Sequence, residues 1–539
     1  MNVFSNILSF SESTPKNDVF SVVSPHGVVE RNITYELLMN AVQNIDKLLS
    51  EVDSGIARPK HAIVMANSPE WVACDIAMGV THRIEIPVPT IFSAEQAENL
   101  IKNADSVLVD DIGMAVMDDW EKKWNLGKDI KKVYVDSNKI YCAPEKRQSV
   151  PELMEASLNV RLVPEECKIV HTSGTTNNPK GVRISQSALW NQISALKSMV
   201  PGYRFSRYVS IVPLSLLIEQ ITAIYLFLSY GGCLYFPSAG VPLLGSKSSM
   251  PDDLIKYFTI VEPDFVVVSP SIVERLHSIG NSLVDPSRLV KTVFGLDAPP
   301  FIACGNAPIA TEILTGLHDM GLQVYEGYGL SENTSVVSWN SPSQFKYGTV
   351  GKPLDHVTLK LSDENELLVK SASLYLGYTA TDPSSCVIDD DGWLHTGDIG
   401  ELDSDGYVKV VGRKKHVLIT ASGRNVSPEW VESQYKRLPF IRNVAVFGND
   451  LPFLMAVFIV NRGELTNTEM RRAIDNYGLE QFSDVERVRQ YVLLESNPQV
   501  RKEYITITGD PIRPKLWERL TEEFDVEGLK NKSGESISA

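Results

Sequence analysis

The stretch Ile169–Ser185 reads IVHTSGTTNNPKGVRIS, and the fold turns on how it is read. Ile169 and Val170 close a short apolar run, the pattern of a buried strand end. The nine positions from Thr172 to Lys180 then hold four hydroxyl residues, Thr172, Ser173, Thr175 and Thr176, together with Gly174 and the lysine itself. The following SQSALWNQISALKSMV places Leu189, Ile193, Leu196 and Val200 at helical spacing. A strand, a hydroxyl-rich loop and a helix make a phosphate cradle, because backbone N–H groups, side-chain hydroxyls and an ammonium converge on one polyanion. It is not a Walker loop. Pro179 stands where that pattern needs its second glycine, and Gly181 where it needs the hydroxyl.

Four further segments stand downstream in the same order as in a known family: FIACGNAP from Phe301 to Pro308, YEGYGLSEN from Tyr325 to Asn333, GWLHTGD from Gly392 to Asp398, and DGYVKVVGR from Asp405 to Arg413. With the loop, they resemble the adenylate-forming superfamily of acyl-CoA synthetases, luciferases and peptide-synthetase adenylation domains. The family loop runs Thr-Ser-Gly-Thr-Thr-Gly-x-Pro-Lys-Gly, so Asn177 replaces one glycine here. Asparagine tolerates left-handed backbone angles, and the loop shape survives. The resemblance covers nearly the whole chain.

That resemblance implies an α/β fold: a large N-terminal domain of layered α/β subdomains with a β-rich portion, then a small mobile α+β C-terminal domain. It implies ATP and Mg2+ as cofactors and a carboxylic acid as substrate, activated to acyl-AMP and passed to a thiol. Coenzyme A is the leading acceptor, with the phosphopantetheine of an acyl carrier protein as the alternative. By the same resemblance Thr172, Ser173, Gly174, Thr175, Thr176 and Lys180 hold the phosphates, with Lys180, Thr175 and Glu332 as the catalytic set. Glu332, one residue after Ser331, takes the magnesium, a hard cation that needs few protein oxygens and keeps several waters. Gly305, Asn306, Ala307, Glu326, Gly327, Tyr328 and Gly329 surround the adenine, where small residues admit a flat ring and Tyr328 stacks on it or lies beside it. Asp398 and Arg413 form the ribose-binding pair. Lys415 is the hinge, and Gly423 and Arg424 line the thiol tunnel.

Two departures stand out. VPLSLLIEQ, from Val212 to Gln220, resembles Pro-Leu-x-His-x-x-Glu, but Leu216 occupies the histidine position. Its leucines and Ile218 suit an apolar acid and suit core packing equally. Near the C-terminus YITITGDPIRP, from Tyr504 to Pro514, sets Asp510 where the family has its catalytic lysine. A carboxylate facing two reacting anions is electrostatically wrong, so either Lys502, Arg513 or Lys515 substitutes, or the chain binds nucleotide with weak adenylation.

The bulk properties agree with a large cored protein. Over 539 residues, 43% are hydrophobic, which excludes a mainly disordered chain. The net charge of −16 disfavours nucleic acid or an anionic membrane surface as partner. Cys74, Cys142, Cys167, Cys233, Cys304 and Cys386 are scattered without a C-x-x-C pair and read as reduced thiols. MNVFSNILSF lacks the basic start of a secretory signal, so the cytoplasm is the default. The apolar run Tyr208 to Phe236 is broken by Pro213, Glu219, Gln220 and Gly231-Gly232, and reads as buried strand and helix rather than a membrane span.

Short apolar runs at 61–66, 84–88, 106–109, 208–213, 264–269 and 292–304 alternate with helical patterns such as 66–80 and 91–103, as α/β layers do. PEKRQS at 144–149 is a polar connector expected to separate two α/β halves. The clearest boundary lies at Gly412-Arg413-Lys414-Lys415, giving an AMP-binding domain over 1–414, a lid over 415–521 and a frayed tail over 522–539.

Overall fold

A computed structural model describes residues 3–529, apart from 54, 125, 127–128, 161–165, 172–179, 245, 247–248, 306, 381–385, 415–417, 422–423, 464, 506–508, 510 and 527. Two large sheets dominate. The first has six strands in the order Lys131–Tyr134, Ser106–Val109, Lys60–Val64, Ile84–Pro87, Glu166–His171 and Gly181–Ser185. Its first five strands are parallel, and the last runs antiparallel to Glu166–His171. Parallel neighbours need crossovers. Helix Pro69–Val80 supplies one, starting with Ser68, whose side chain accepts from the Trp71 N–H, and with proline in its first turn. Every residue of that helix is buried, its two carboxylates included, with Glu70 paired to Arg31 and Asp75 to Lys168.

The second sheet has nine strands: Lys352–Pro353, Ser335–Trp339, Val324–Leu330, Phe301–Cys304, Phe265–Val268, Arg207–Val209, Cys233–Pro237, Asp18–Val23 and Val29–Thr34. The run from Val324–Leu330 across to Asp18–Val23 is parallel. The polar connector at 144–149 therefore does not divide two halves. The N-terminal hairpin joins the second sheet, with Phe20 paired to Leu234, while Glu166–His171 and Gly181–Ser185 return to the first. Strand neighbours are chosen by burial of their apolar faces, and a local polar stretch carries no information about that choice.

Two other readings need correction. A strand, Gly181–Ser185, stands between the loop and the helix Gln186–Met199, because Val182 and Ile184 alternate into the core before the helical pattern begins. Residues 292–294 end the helix Leu289–Phe294, which Gly295 closes at φ +68° before the strand Phe301–Cys304.

The apolar run after Arg207–Val209 folds as helix Leu217–Glu219, a π-helix Gln220–Phe227 and a short turn, with the π-helix wholly buried. Among the described residues no helix is long and apolar enough to cross a membrane. All six cysteines are free thiols.

A four-stranded antiparallel sheet, Val357–Leu361, Glu366–Ser371, Leu394–Leu402 and Val408–Arg413, follows. Beyond it stands a small α+β unit on the strands Ile441–Phe447, Leu454–Val460 and Val488–Glu495. Strand alternation builds two cores there. Val444, Val446, Ala456 and Phe458 meet helices Pro428–Tyr435 and Asn467–Gln481, while Ala445, Met455 and Val457 meet helix Arg513–Glu523. The described chain stays packed past residue 522, where the tail was expected, with Val526 buried in the second of these cores; residues 530–539 of that tail lie outside the described residues.

Candidate active site

The strand Glu166–His171 ends at the expected phosphate loop. Thr172, Ser173, Gly174, Thr175 and Thr176 lie outside the described residues. Lys180 follows, half-buried. The next strand is joined by residues 376–379 as an added edge: Thr379 N–H donates to the Gly181 carbonyl (2.8 Å), Arg183 N–H to Gly377 (3.0 Å) and Leu376 N–H to Arg183 (2.7 Å). Only glycine fits at 181. A Cβ there would stand 2.7 Å from both Ile169 Cγ2 and Thr379 Oγ1.

Glu332 sits in the one-turn 3-10 helix Ser331–Asn333, which ends the parallel strand Val324–Leu330. The turn is strained. Thr334 and Ser335 hold φ of +53° and +93°, a region that β-branched Thr334 enters at a cost of about 1–3 kcal/mol. One tertiary and one local bond hold it there: Thr334 Oγ1 donates to the Ser373 carbonyl (2.7 Å), and Asn333 Nδ2 to the Val336 carbonyl three residues on (2.9 Å). Glu332 is buried, and its Oε1 accepts from the Tyr378 hydroxyl at 2.5 Å. The sequence reading named neither Thr334 nor Tyr378. A threonine in a polar turn gives no periodic signal, and a tyrosine 46 residues from its partner gives none either.

Asp398 and Arg413 face each other directly across the hairpin of Leu394–Leu402 and Val408–Arg413. Arg413 Nε lies 2.9 Å from Asp398 Oδ1, and the Tyr328 hydroxyl donates to Oδ2 at 2.6 Å. The carboxylate is nearly inaccessible, whereas the guanidinium is 45% exposed and open to a ligand. Burial pushes the Asp398 carboxyl up from its ordinary value. Arg413 and the Tyr328 hydroxyl oppose that rise, and Glu332 and Glu429 add to it. Burial and the Asp398 charge hold the Tyr328 phenol well above its ordinary value.

The adenine candidates line the ends of two neighbouring parallel strands. Gly305 follows Phe301–Cys304 so tightly that a Cβ there would lie 3.2 Å from the Gly327 carbonyl oxygen, and Ala307 is exposed beyond it. Asn306 lies outside the described residues. Gly329 has a packing duty of its own, since a Cβ there would fall 1.8 Å from the Ser335 carbonyl oxygen. Burial pushes the Glu326 carboxyl up to about 8, against a hydrogen bond from the Ile309 backbone.

The segment after Arg207–Val209 is held by Asn67, which donates to Ser210 Oγ (3.0 Å) and the Val212 carbonyl (2.7 Å) and accepts from Leu214 N–H (2.8 Å). Glu219 lies at the start of the π-helix and accepts from Tyr208 and Ser210, both at 2.8 Å. Burial pushes its carboxyl up to about 8, against the hydrogen bonds from Ser210 and Tyr208. Leu214 and Leu217 are buried here, and Leu216 and Ile218 are half-buried against the core.

Lys415 and Gly423 lie outside the described residues. Arg424 closes a turn between Leu418–Ile419 and Asn425–Val426, its N–H donating to Thr420 Oγ1 (3.3 Å). The small unit meets the large one through Ser427 Oγ, which donates to the Val411 carbonyl, and through Arg437, 3.4 Å from Glu312.

Residues 12–379 match the family described as AMP-binding enzyme. A long-chain-fatty-acid–CoA ligase of Mycobacterium bovis, FadD15, is 25% identical over 453 residues, covering 75% of this chain and 73% of that protein. Among solved structures, the anthranilate CoA ligase AuaEII in complex with anthranoyl-AMP superimposes with a TM-score of 0.76 at 19% identity, over 96% of this chain and 97% of that one. The o-succinylbenzoate CoA synthetase MenE of Bacillus subtilis, with ATP and magnesium, does so with 0.70 at 17% identity, over 95% and 99%. Family match, relatives and fold agree: this chain is an acyl-CoA synthetase-like enzyme and belongs to the AMP-binding enzyme family.

Proposed function

We propose that this enzyme activates a fatty or other apolar carboxylic acid with ATP and passes the acyl group to a thiol, coenzyme A. In the first step a carboxylate oxygen bonds to the α-phosphorus, the bond to the bridging oxygen breaks, and pyrophosphate leaves as acyl-AMP forms. In the second step a thiolate sulfur bonds to the acyl carbon and AMP leaves. One observation carries the reading. Lys180, Tyr378 and Glu332 form a chain of contacts, and Glu332 is close enough to Asp398 to raise its affinity for a proton, beside Tyr328 and Arg413. Residues from four distant segments therefore converge at the carboxyl ends of parallel strands, where α/β sheets bind ligands.

Lys180 and the hydroxyls of 172–176 oppose the charge of the β- and γ-phosphates, and Asp398 accepts hydrogen bonds from the ribose hydroxyls while Arg413 adds a donor. The Glu332 carboxylate is a hard oxygen ligand beside the phosphate residues, which suits magnesium. Bound there, the ion offsets negative charge on the phosphate oxygens. Domains divide at residue 414, and the unit from 415 to 521 turns at Lys415 between the two steps, bringing Gly423 and Arg424 to the thiol. The relative FadD15, named for long-chain fatty acids, supports the acid class.

Pyrophosphate release from a panel of aliphatic and aromatic acids, with coenzyme A or with a phosphopantetheinylated carrier protein, tests this reading. Long aliphatic acids with coenzyme A are expected to give the fastest turnover. Preference for the carrier protein would reassign the acceptor, and no release with any acid would leave a nucleotide-binding protein. Asp398→Ala is expected to raise the KM for ATP by roughly 10- to 100-fold, the weight of a hydrogen bond to a charged group. Because a ribose contact is shared by ground and transition states, kcat should change little. A pure kcat loss with normal KM in a variant of normal Tm would show that Asp398 has another role.

A further inference from the structure

We infer that Tyr378 is a positioning residue that sets the Glu332 carboxylate for its metal and ties it to Lys180 on the phosphate side. The inference rests on the reading of Glu332 as the magnesium ligand.

Three attachments converge on this one residue. Its backbone is bridged to Val182 in the strand that follows the phosphate loop, so Tyr378 travels with that strand. Its hydroxyl donates to Glu332 Oε1 at 2.5 Å. Its ring centroid lies 5.8 Å from Lys180 Nζ, within cation–π range.

The direction of the hydroxyl proton is also determined. Cys386 N–H donates to the Tyr378 oxygen at 3.3 Å, and Tyr375, which meets the Tyr378 ring edge-on at 4.9 Å, donates to the Cys386 carbonyl at 2.8 Å. With that backbone N–H on the oxygen, the single phenolic proton goes to the carboxylate.

A glutamate's terminal torsion is broad and nearly two-fold, so burial alone leaves the plane of the carboxylate poorly set. One donor on Oε1 sets it. Among the described residues this is the one hydrogen bond to the Glu332 carboxylate, so Oε2 would be left available to a metal. Partners that orient a metal ligand are typically worth about 10- to 100-fold in metal affinity.

The test is equilibrium binding of ATP to the full chain by calorimetry, in excess Mg2+ and in EDTA, with Mn2+ binding in the presence of ATP followed by electron paramagnetic resonance. Tyr378→Phe keeps the ring and removes one oxygen. It is expected to lose about 10-fold of the Mg2+-dependent gain in ATP affinity, to weaken Mn2+ to match, and to leave EDTA binding and Tm unchanged. Tyr378→Leu also loses the face toward Lys180 and should weaken ATP by a further 2- to 5-fold or so in EDTA. In a Glu332→Gln background, Tyr378→Phe should have no further effect on the metal-dependent part. A folded Tyr378→Phe that keeps the full Mg2+-dependent gain, or loses affinity equally in Mg2+ and EDTA, overturns the inference. If Glu332→Gln itself keeps the gain, the reading of Glu332 fails and this inference falls with it. If Glu332→Gln loses the gain and Tyr378→Phe keeps it, only the inference about Tyr378 falls.

Discussion

Lys180→Ala slows adenylate formation by roughly 10- to 1,000-fold, the usual range for removing a donor that stabilises charge in the transition state. The effect is large because two anions must meet, and this ammonium stands at the exit of the loop proposed to hold one of them. It should be a clean loss. Lys180 is half-buried, it precedes rather than occupies the strand Gly181–Ser185, and it takes no part in the Tyr378–Glu332 hydrogen bond. Single-turnover pyrophosphate release and ATP binding, set beside a thermal melt, check the expectation. Normal nucleotide affinity and normal turnover in the folded variant would remove Lys180 from the mechanism.

Asp510→Lys accelerates the first half-reaction by up to roughly 100-fold and leaves the second unchanged. The position where the family carries its lysine holds a carboxylate, Asp510. Arg513 is not its replacement. Its Nη2 reaches both Glu432 oxygens, at 2.7 and 2.8 Å, and its Nη1 donates to the Val446 carbonyl at 3.0 Å. Glu432 is buried, and burial pushes its carboxyl up while Arg513 is the chief opposing influence. Withdrawing the guanidinium to serve catalysis would strand that carboxylate, at a cost of about 3–5 kcal/mol. Lys502 and Lys515 are exposed on the flanking helices Pro498–Tyr504 and Arg513–Glu523. Lys515→Ala is expected to change little. The decisive comparison is single-turnover pyrophosphate release against consumption of synthetic acyl-AMP. Abolition of the first step alone by Lys502→Ala or Lys515→Ala would identify a substitute lysine. Rapid wild-type adenylation that survives loss of Lys502, Arg513 and Lys515 in turn would refute both versions.

What could be read from the chain follows the range of the forces involved. The helix Gln186–Met199 and the strand Ser106–Val109 were legible because periodicity is a property of neighbours. Asp398 and Arg413 were legible as motif residues, and a hairpin register then places them opposite each other. The strand Gly181–Ser185 was missed because five residues of alternation run straight into a helical pattern that begins at Gln186. Tyr378 and Thr334 were missed for a different reason. Each matters through a partner that the fold brings close, Glu332 in one case and the Ser373 carbonyl in the other, and nothing in their local sequence announces it. The assignment of strands to sheets failed at the connector on the same ground, since pairing of Phe20 with Leu234 is invisible to any short window.

That pairing has a consequence during synthesis. The hairpin of Asp18–Val23 and Val29–Thr34 is made well before the strand beside it, Cys233–Pro237, which follows about 200 residues later, roughly 10–40 s at ordinary elongation rates. Val19, Phe20 and Val23, buried in the finished protein, have no sheet to join in that interval. Loop closure over such a span is slow and leaves apolar strand edges unpaired. The hairpin's apolar residues therefore wait for Cys233–Pro237 before the parallel pairing that covers them can form.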